Sequence, residues 1–177
     1  MGRKLNTQSE TLNSQQTQGA QAILKDKSQY RRGMVFDVFD YVKSLGDIEL
    51  RSEPMEDNIS GWIKKQGLKY VISINSIQSP LRQRFTLAHE LGHYYYHRSE
   101  LEGQHTDIAL FRNVDGDQLG IEYAANEFAA ELLMPEADFR NAIQNGENTP
   151  KLLSQLFQVT EKAVLYRAYK LGIVKTF

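Results

Sequence analysis

Cysteine is absent from all 177 residues, so neither a disulfide nor a thiolate metal site can form. That absence fits a reducing compartment. An excess of one charge is absent too: 21 basic residues balance 22 acidic ones, for a net charge of −1. Such a balance supplies no global pull toward nucleic acid or an acidic membrane and leaves only local basic patches. Long hydrophobic runs are also missing. No stretch approaches the roughly 20 apolar residues of a membrane span. Residues 1–20, rich in Gln, Asn, Ser and Thr, have no signal-peptide core. These absences predict a soluble cytoplasmic protein with no membrane partner. What is present, 41% hydrophobic and 24% charged residues, is the composition of a globular chain able to build a core. There is no internal repeat and no clear linker.

Residues 1–19 show no hydrophobic periodicity and are expected to be disordered or the frayed start of a helix. From Ala20, the residues Ile23, Tyr30, Met34, Phe36, Phe39, Val42 and Leu45 recur at roughly helical intervals, with Gly46 as a stop. Strands are expected at 48–51, at 59–63 with the single tryptophan, and at 70–74, where β-branched residues dominate. Pro80 suits the first turn of a helix running to about Arg98. A strand at 107–111 and a turn at Asp115-Gly116-Asp117 lead to a second helix, 118–134, stopped by Pro135. Shorter helices follow, separated by Asn145-Gly146 and Thr149-Pro150.

The chemistry centres on Phe85-Thr86-Leu87-Ala88-His89-Glu90-Leu91-Gly92-His93. Helical residues four apart differ by only ~40° and rise by ~6 Å. His89 and His93 can therefore grip one ion. Glu90 lies at the edge of their face, where the general base for a metal-bound water must sit. Much of this helix is apolar around its circumference, so the histidines should be inside. Gly92 costs ~1 kcal/mol against alanine in mid-helix, which a close approach by a neighbouring element or by substrate would explain. The bland alternative is two core histidines bonded to backbone with Glu90 in solvent. Two of the four histidines at metal spacing, with glutamate between, argue against it.

A catalytic zinc site needs a third protein ligand and an open position for water. On the second helix, Ile121, Ala125, Phe128 and Leu132 form an apolar stripe, while Tyr123, Glu127 and Glu131 read as the solvated face. Glu122 belongs to neither. It shares its sector with Asn126, Ala129 and Leu133 on the apolar half, where a carboxylate is costly unless paired or metal-bound. Asn126 can orient a ligand histidine. The competing reading pairs Glu122 with a lysine or arginine near the helix start. His97 drifts ~80° from His89 and is a poorer ligand. Ser99 stands where another zinc-peptidase pattern requires histidine. His105, Asp107, Asp115 and Asp117 have no spacing argument.

Gln83-Arg84-Phe85-Thr86-Leu87-Ala88-His89-Glu90-Leu91-Gly92-His93, followed by Glu122-x-x-x-Asn126-x-Phe128-Ala129-Ala130-x-Leu132-Leu133-Met134-Pro135, resembles the ImmA/IrrE family of metallo-endopeptidases. Ile59-Ser60-Gly61 and Val71-Ile72-Ser73-Ile74-Asn75 resemble the strands preceding them in that family. The resemblance covers about residues 35–172 and implies an α+β fold: a thermolysin-like zincin core with a small mixed or antiparallel sheet packed on helices. It implies zinc on His89, His93 and Glu122, one ion per chain, with manganese as a substitute. It also implies regulatory proteolysis, in which members cut or inactivate helix-turn-helix repressors of the Xre type, some in toxin–antitoxin-like pairs.

The expected division is a polar N-terminus over 1–19, a zincin-like peptidase domain over 20–145 and a helix-turn-helix-like segment over 146–177. Lys162, Arg167 and Lys170 give the last helix a basic edge. A packing role for it is favoured over direct DNA contact. His97, His105, Tyr94, Tyr96 and Arg112 are candidate donors to a developing oxyanion. The rival function is a peptidase-like scaffold that holds a repressor or DNA without cutting. It gives no reason to keep Glu90.

Overall fold

A computed structural model describes residues 17–98, 101 and 116–176. Its first helix, α1, spans 17–26, and a short turn of 3-10 helix covers Ser28–Tyr30. A hairpin follows, with Arg31–Arg32 (β1) paired to Val35–Phe36 (β2), and then helix α2, Val38–Ser44. The helical periodicity read from Ala20 to Leu45 is thus corrected to two helices flanking a hairpin. Gly33 is the reason: its φ of +61° is left-handed backbone that favours glycine, as a two-residue hairpin turn requires. Asp37 then caps α2 by accepting from the Asp40 amide. The aromatic spacing served a cluster instead of one helix face. The Tyr41 ring lies 5.4 Å from that of Tyr30 and 5.5 Å from that of Phe36.

Three strands form the main sheet: β3 (Ile48–Glu53), β4 (Gly61–Gln66) and β5 (Lys69–Asn75). The order is β3-β5-β4, with β5 parallel to β3 and antiparallel to β4, so the sheet is mixed as expected. A central strand needs apolar side chains on both faces, and Tyr70 through Asn75 are all buried. Asn75 ends the strand as a hub. Its amide donates to the carbonyls of Met55, Glu56 and Ile59, and its oxygen accepts from Met55 N and Ile77 N.

Helix α3, Pro80–Tyr96, is capped by Ser79 and started by Pro80. Thr86 through Tyr94 are buried without interruption. Helix α4, Gly116–Leu133, packs against it and takes in Gly116 and Asp117, expected as part of a turn. The expected strand at 107–111 and the expected turn residue Asp115 lie outside the described residues.

Beyond Pro135 come α5 (Glu136–Gln144), α6 (Pro150–Phe157) and α7 (Glu161–Lys170). Thr149 and Thr160 cap the last two helices, and Gln158, at φ 54°, turns the chain between them. Phe139 and Phe157 stack at 5.7 Å, and their cluster continues through Leu132, Met134 and Leu91 to the sheet residues Ile72 and Ile74.

The expected solvated face of α4 is corrected: Glu127 is 5% exposed and Glu131 only 1%. Helix α7 covers both. The Arg167 guanidinium pairs with Glu131 and donates to Met134 O, and the Tyr166 hydroxyl donates to Glu127 at 2.6 Å. Gln21 of α1 adds a further donor to Glu131 at 3.1 Å. Burial and the Glu127 charge raise the Tyr166 hydroxyl's pKa, keeping it a donor. Arg167 is therefore interior and no part of a basic edge.

Candidate metal centre

Gly92 sets the spacing of α3 and α4. A Cβ placed there would lie 3.0 Å from Ala125 Cα and 3.2 Å from the Phe128 ring. The neighbouring helix, one of the two approaches the sequence suggested, occupies that space. At this closeness Glu122, just before the crossing on α4, reaches the face of α3 that bears the histidines.

The structure brings His89, His93 and Glu122 together, all buried, with one potential ligand atom from each lying within 4.8 Å of the others. His89 Nε2 and His93 Nε2 are 3.0 Å apart. Glu122 Oε2 lies 3.2 Å from His89 Nε2, and Oε1 lies 3.3 Å from His93 Nε2. Ligand bonds of about 2.0–2.1 Å in tetrahedral geometry place donor atoms roughly 3.3 Å apart, close to these separations.

Asn126 stands one turn beyond Glu122, and its Oδ1 lies 3.1 Å from His89 Nδ1. An amide oxygen can only accept, so Nδ1 of His89 holds the proton and Nε2 presents its lone pair to the cluster. On the other histidine, Nδ1 lies 3.2 Å from Nδ1 of His97. Glu122 Oε1 is buried and makes no hydrogen bond. Lone pairs and a carboxylate converging in a buried space repel one another unless a cation joins them. The donor set, two imidazoles and one carboxylate, fits a divalent metal ion. Burial alone raises the Glu122 carboxyl, but the His89 and His93 rings lying against it outweigh burial and hold the group at about 2.

Glu90 is buried on the same helix, 4% exposed. The candidate oxyanion donors fare differently. Tyr94 turns away, its hydroxyl donating to both carboxylate oxygens of Asp47 at 2.8 Å. The Tyr96 ring packs on Phe128 and its hydroxyl sits against Gly19 of α1. His97 is 7% exposed and engages His93. His105, Arg112, Asp107 and Asp115, with the side chain of Asp117, lie outside the described residues. Helical spacing places His97 one turn beyond His93, the sequence signal for this contact.

A family model described as the IrrE N-terminal-like domain, a peptidase family, matches residues 46–169. The radiation response metalloprotease IrrE of Deinococcus radiodurans is 35% identical over 104 residues, covering 57% of this chain and 30% of that protein. The chain thus spans under a third of the curated relative's length. A solved structure of a Mycobacterium tuberculosis transcriptional regulator superposes with a TM-score of 0.67 at 16% identity, covering 88% of this chain and 46% of the other. At that identity the likeness concerns the fold alone. No helix among the described residues is long and apolar enough to cross a membrane.

Proposed function

We propose that this chain, which belongs to the ImmA/IrrE family of metallopeptidases, is itself a zinc-dependent endopeptidase with a zincin-like core. The observation that carries the proposal is the buried convergence of His89, His93 and Glu122, with Glu90 buried on the same helix. The three side chains would hold the ion, and Asn126 would fix the His89 tautomer. A zinc ion bound there would supply an acidified water and polarisation of the scissile carbonyl. Glu90 accepts the proton from the attacking water and delivers it to the leaving amide nitrogen.

The substrate we propose is a helix-turn-helix repressor or antitoxin, cut in regulatory proteolysis. Helices α6 and α7, joined by a three-residue turn, form a helix-turn-helix-like unit that serves packing. Its buried Arg167 is held by Glu131, and Lys170 lies beside Glu127 at 3.6 Å, so neither is offered to a phosphate backbone.

The rival is a scaffold that binds a repressor without cutting it. A reporter under a repressor encoded beside this chain separates the two, with immunoblotting for repressor fragments. Peptidase action requires fragments and loss of derepression in Glu90→Gln. Full derepression by that variant, without fragments in either strain, would establish the scaffold instead.

A further inference from the structure

We propose that His97 is a positioning residue that fixes the tautomer and orientation of His93, as Asn126 does for His89. The inference rests on His89, His93 and Glu122 being the metal ligands, but its central observation is independent of any ion. His93 Nδ1 and His97 Nδ1 lie 3.2 Å apart, with ring centroids at 5.2 Å and planes at 54°. Two ring nitrogens at that distance share one proton, because two protons clash and none leaves lone pairs opposed.

The rest of the site decides which ring holds it. Nε2 of His93 faces His89 Nε2 at 3.0 Å and Glu122 Oε1 at 3.3 Å, the side on which a lone pair is needed. With Nε2 given to the ion, the proton of His93 is on Nδ1 and is donated to Nδ1 of His97. Its backbone is fixed for this task. His97 ends α3, its amide donating to His93 O at 2.9 Å, while its carbonyl accepts from Leu101 N at 3.2 Å. The two histidines thus have separate acceptors, one on α4 and one on α3 itself. Holding a ligand's remote N–H in this way typically changes metal affinity 10–100-fold.

The test uses the full chain with three substitutions at this position. In His97→Asn the side-chain oxygen sits where Nδ1 sat and still accepts. In His97→Gln the oxygen falls nearer the position of Nε2. In His97→Leu the acceptor is lost and the apolar volume kept. Zinc affinity, measured by competition with a chromogenic chelator, should fall about 10–100-fold in His97→Leu and His97→Gln and stay within roughly threefold in His97→Asn. Nitrogen–proton NMR on the zinc-loaded protein should show a His93 Nδ1 proton protected from solvent exchange in the parent and in His97→Asn, and exposed to exchange in His97→Leu. A purely structural role predicts no rescue by asparagine. Equal affinity across the series, or a His93 Nδ1 proton equally protected in His97→Leu, overturns the proposal. Should His97→Leu not fold, the asparagine–glutamine contrast decides alone. A parent protein with no zinc affinity overturns the metal reading, whereas equal affinities in a zinc-binding parent overturn only the role of His97.

Discussion

Gly92 on α3 and Ala125 on α4 meet so closely that a methyl group at position 92 would lie 3.0 Å from the Ala125 Cα. The obstruction is backbone, which cannot swing aside as a side chain can. Gly92→Ala gains ~1 kcal/mol of helix propensity, yet it must push α4 and Glu122 with it away from the histidines. The expected outcome is a protein with unchanged helix content by circular dichroism and zinc affinity at least tenfold lower. A variant that binds zinc like the parent would show that the crossing does not set the site.

Arg167 and Glu131 form a pair with side chains only 4% and 2% exposed. Removing one partner leaves the other charge buried. Arg167→Met should cost about 3–5 kcal/mol in chemical denaturation, and the double variant Arg167→Met/Glu131→Gln should recover much of that loss. A loss below about 1 kcal/mol is what a solvated pair gives, and would contradict the packing of α7 on α4.

Glu122 has a test that separates ligation from a role in helix stability. At free zinc a hundred times the dissociation constant, binding adds about 2.7 kcal/mol to stability. Glu122→Gln should remove most of the zinc-dependent rise in melting temperature. Equal shifts with and without metal would remove Glu122 from the ligand set. The pH dependence has a definite sign. The folded carboxyl, at about 2, lies below its ordinary 4.5. Its ionised form therefore stabilises the metal-free fold above the ordinary value, and that contribution is lost as pH falls toward 2. Above about pH 4 the Glu122 carboxylate stays ionised and available to a cation. Chemical denaturation of the metal-free protein from about pH 6 to about pH 3 checks this: the parent should lose stability more steeply than Glu122→Gln, and equal slopes would contradict it.

The site was more legible in the sequence than the fold around it, for physical reasons. His89 and His93 follow from one helix's geometry, and Glu122 stood out because a carboxylate on an apolar sector demands a partner. The N-terminal hairpin is hidden because Tyr30 and Phe36, read at helical intervals, come from separate elements and gather with Tyr41 in one cluster. Glu127 and Glu131 were read as solvated because a helical wheel records polarity and not partners. Theirs lie on α7: Tyr166 stands 39 residues from Glu127, and Arg167 stands 36 from Glu131. His97 was weighed as an ion ligand or oxyanion donor when its contact is with another histidine.

In the proposed mechanism Glu90 acts as a base beside a metal held by other residues. Glu90→Gln preserves size and hydrogen bonding while removing the basic site. The decisive measurement pairs elemental analysis of the purified variant with a mass-spectrometric cleavage assay on a helix-turn-helix repressor encoded beside this chain. About one zinc per chain is expected in both parent and variant, with cleavage reduced by roughly 10²–10⁴-fold in the variant. Cleavage at the parental rate by a zinc-loaded Glu90→Gln protein would contradict it.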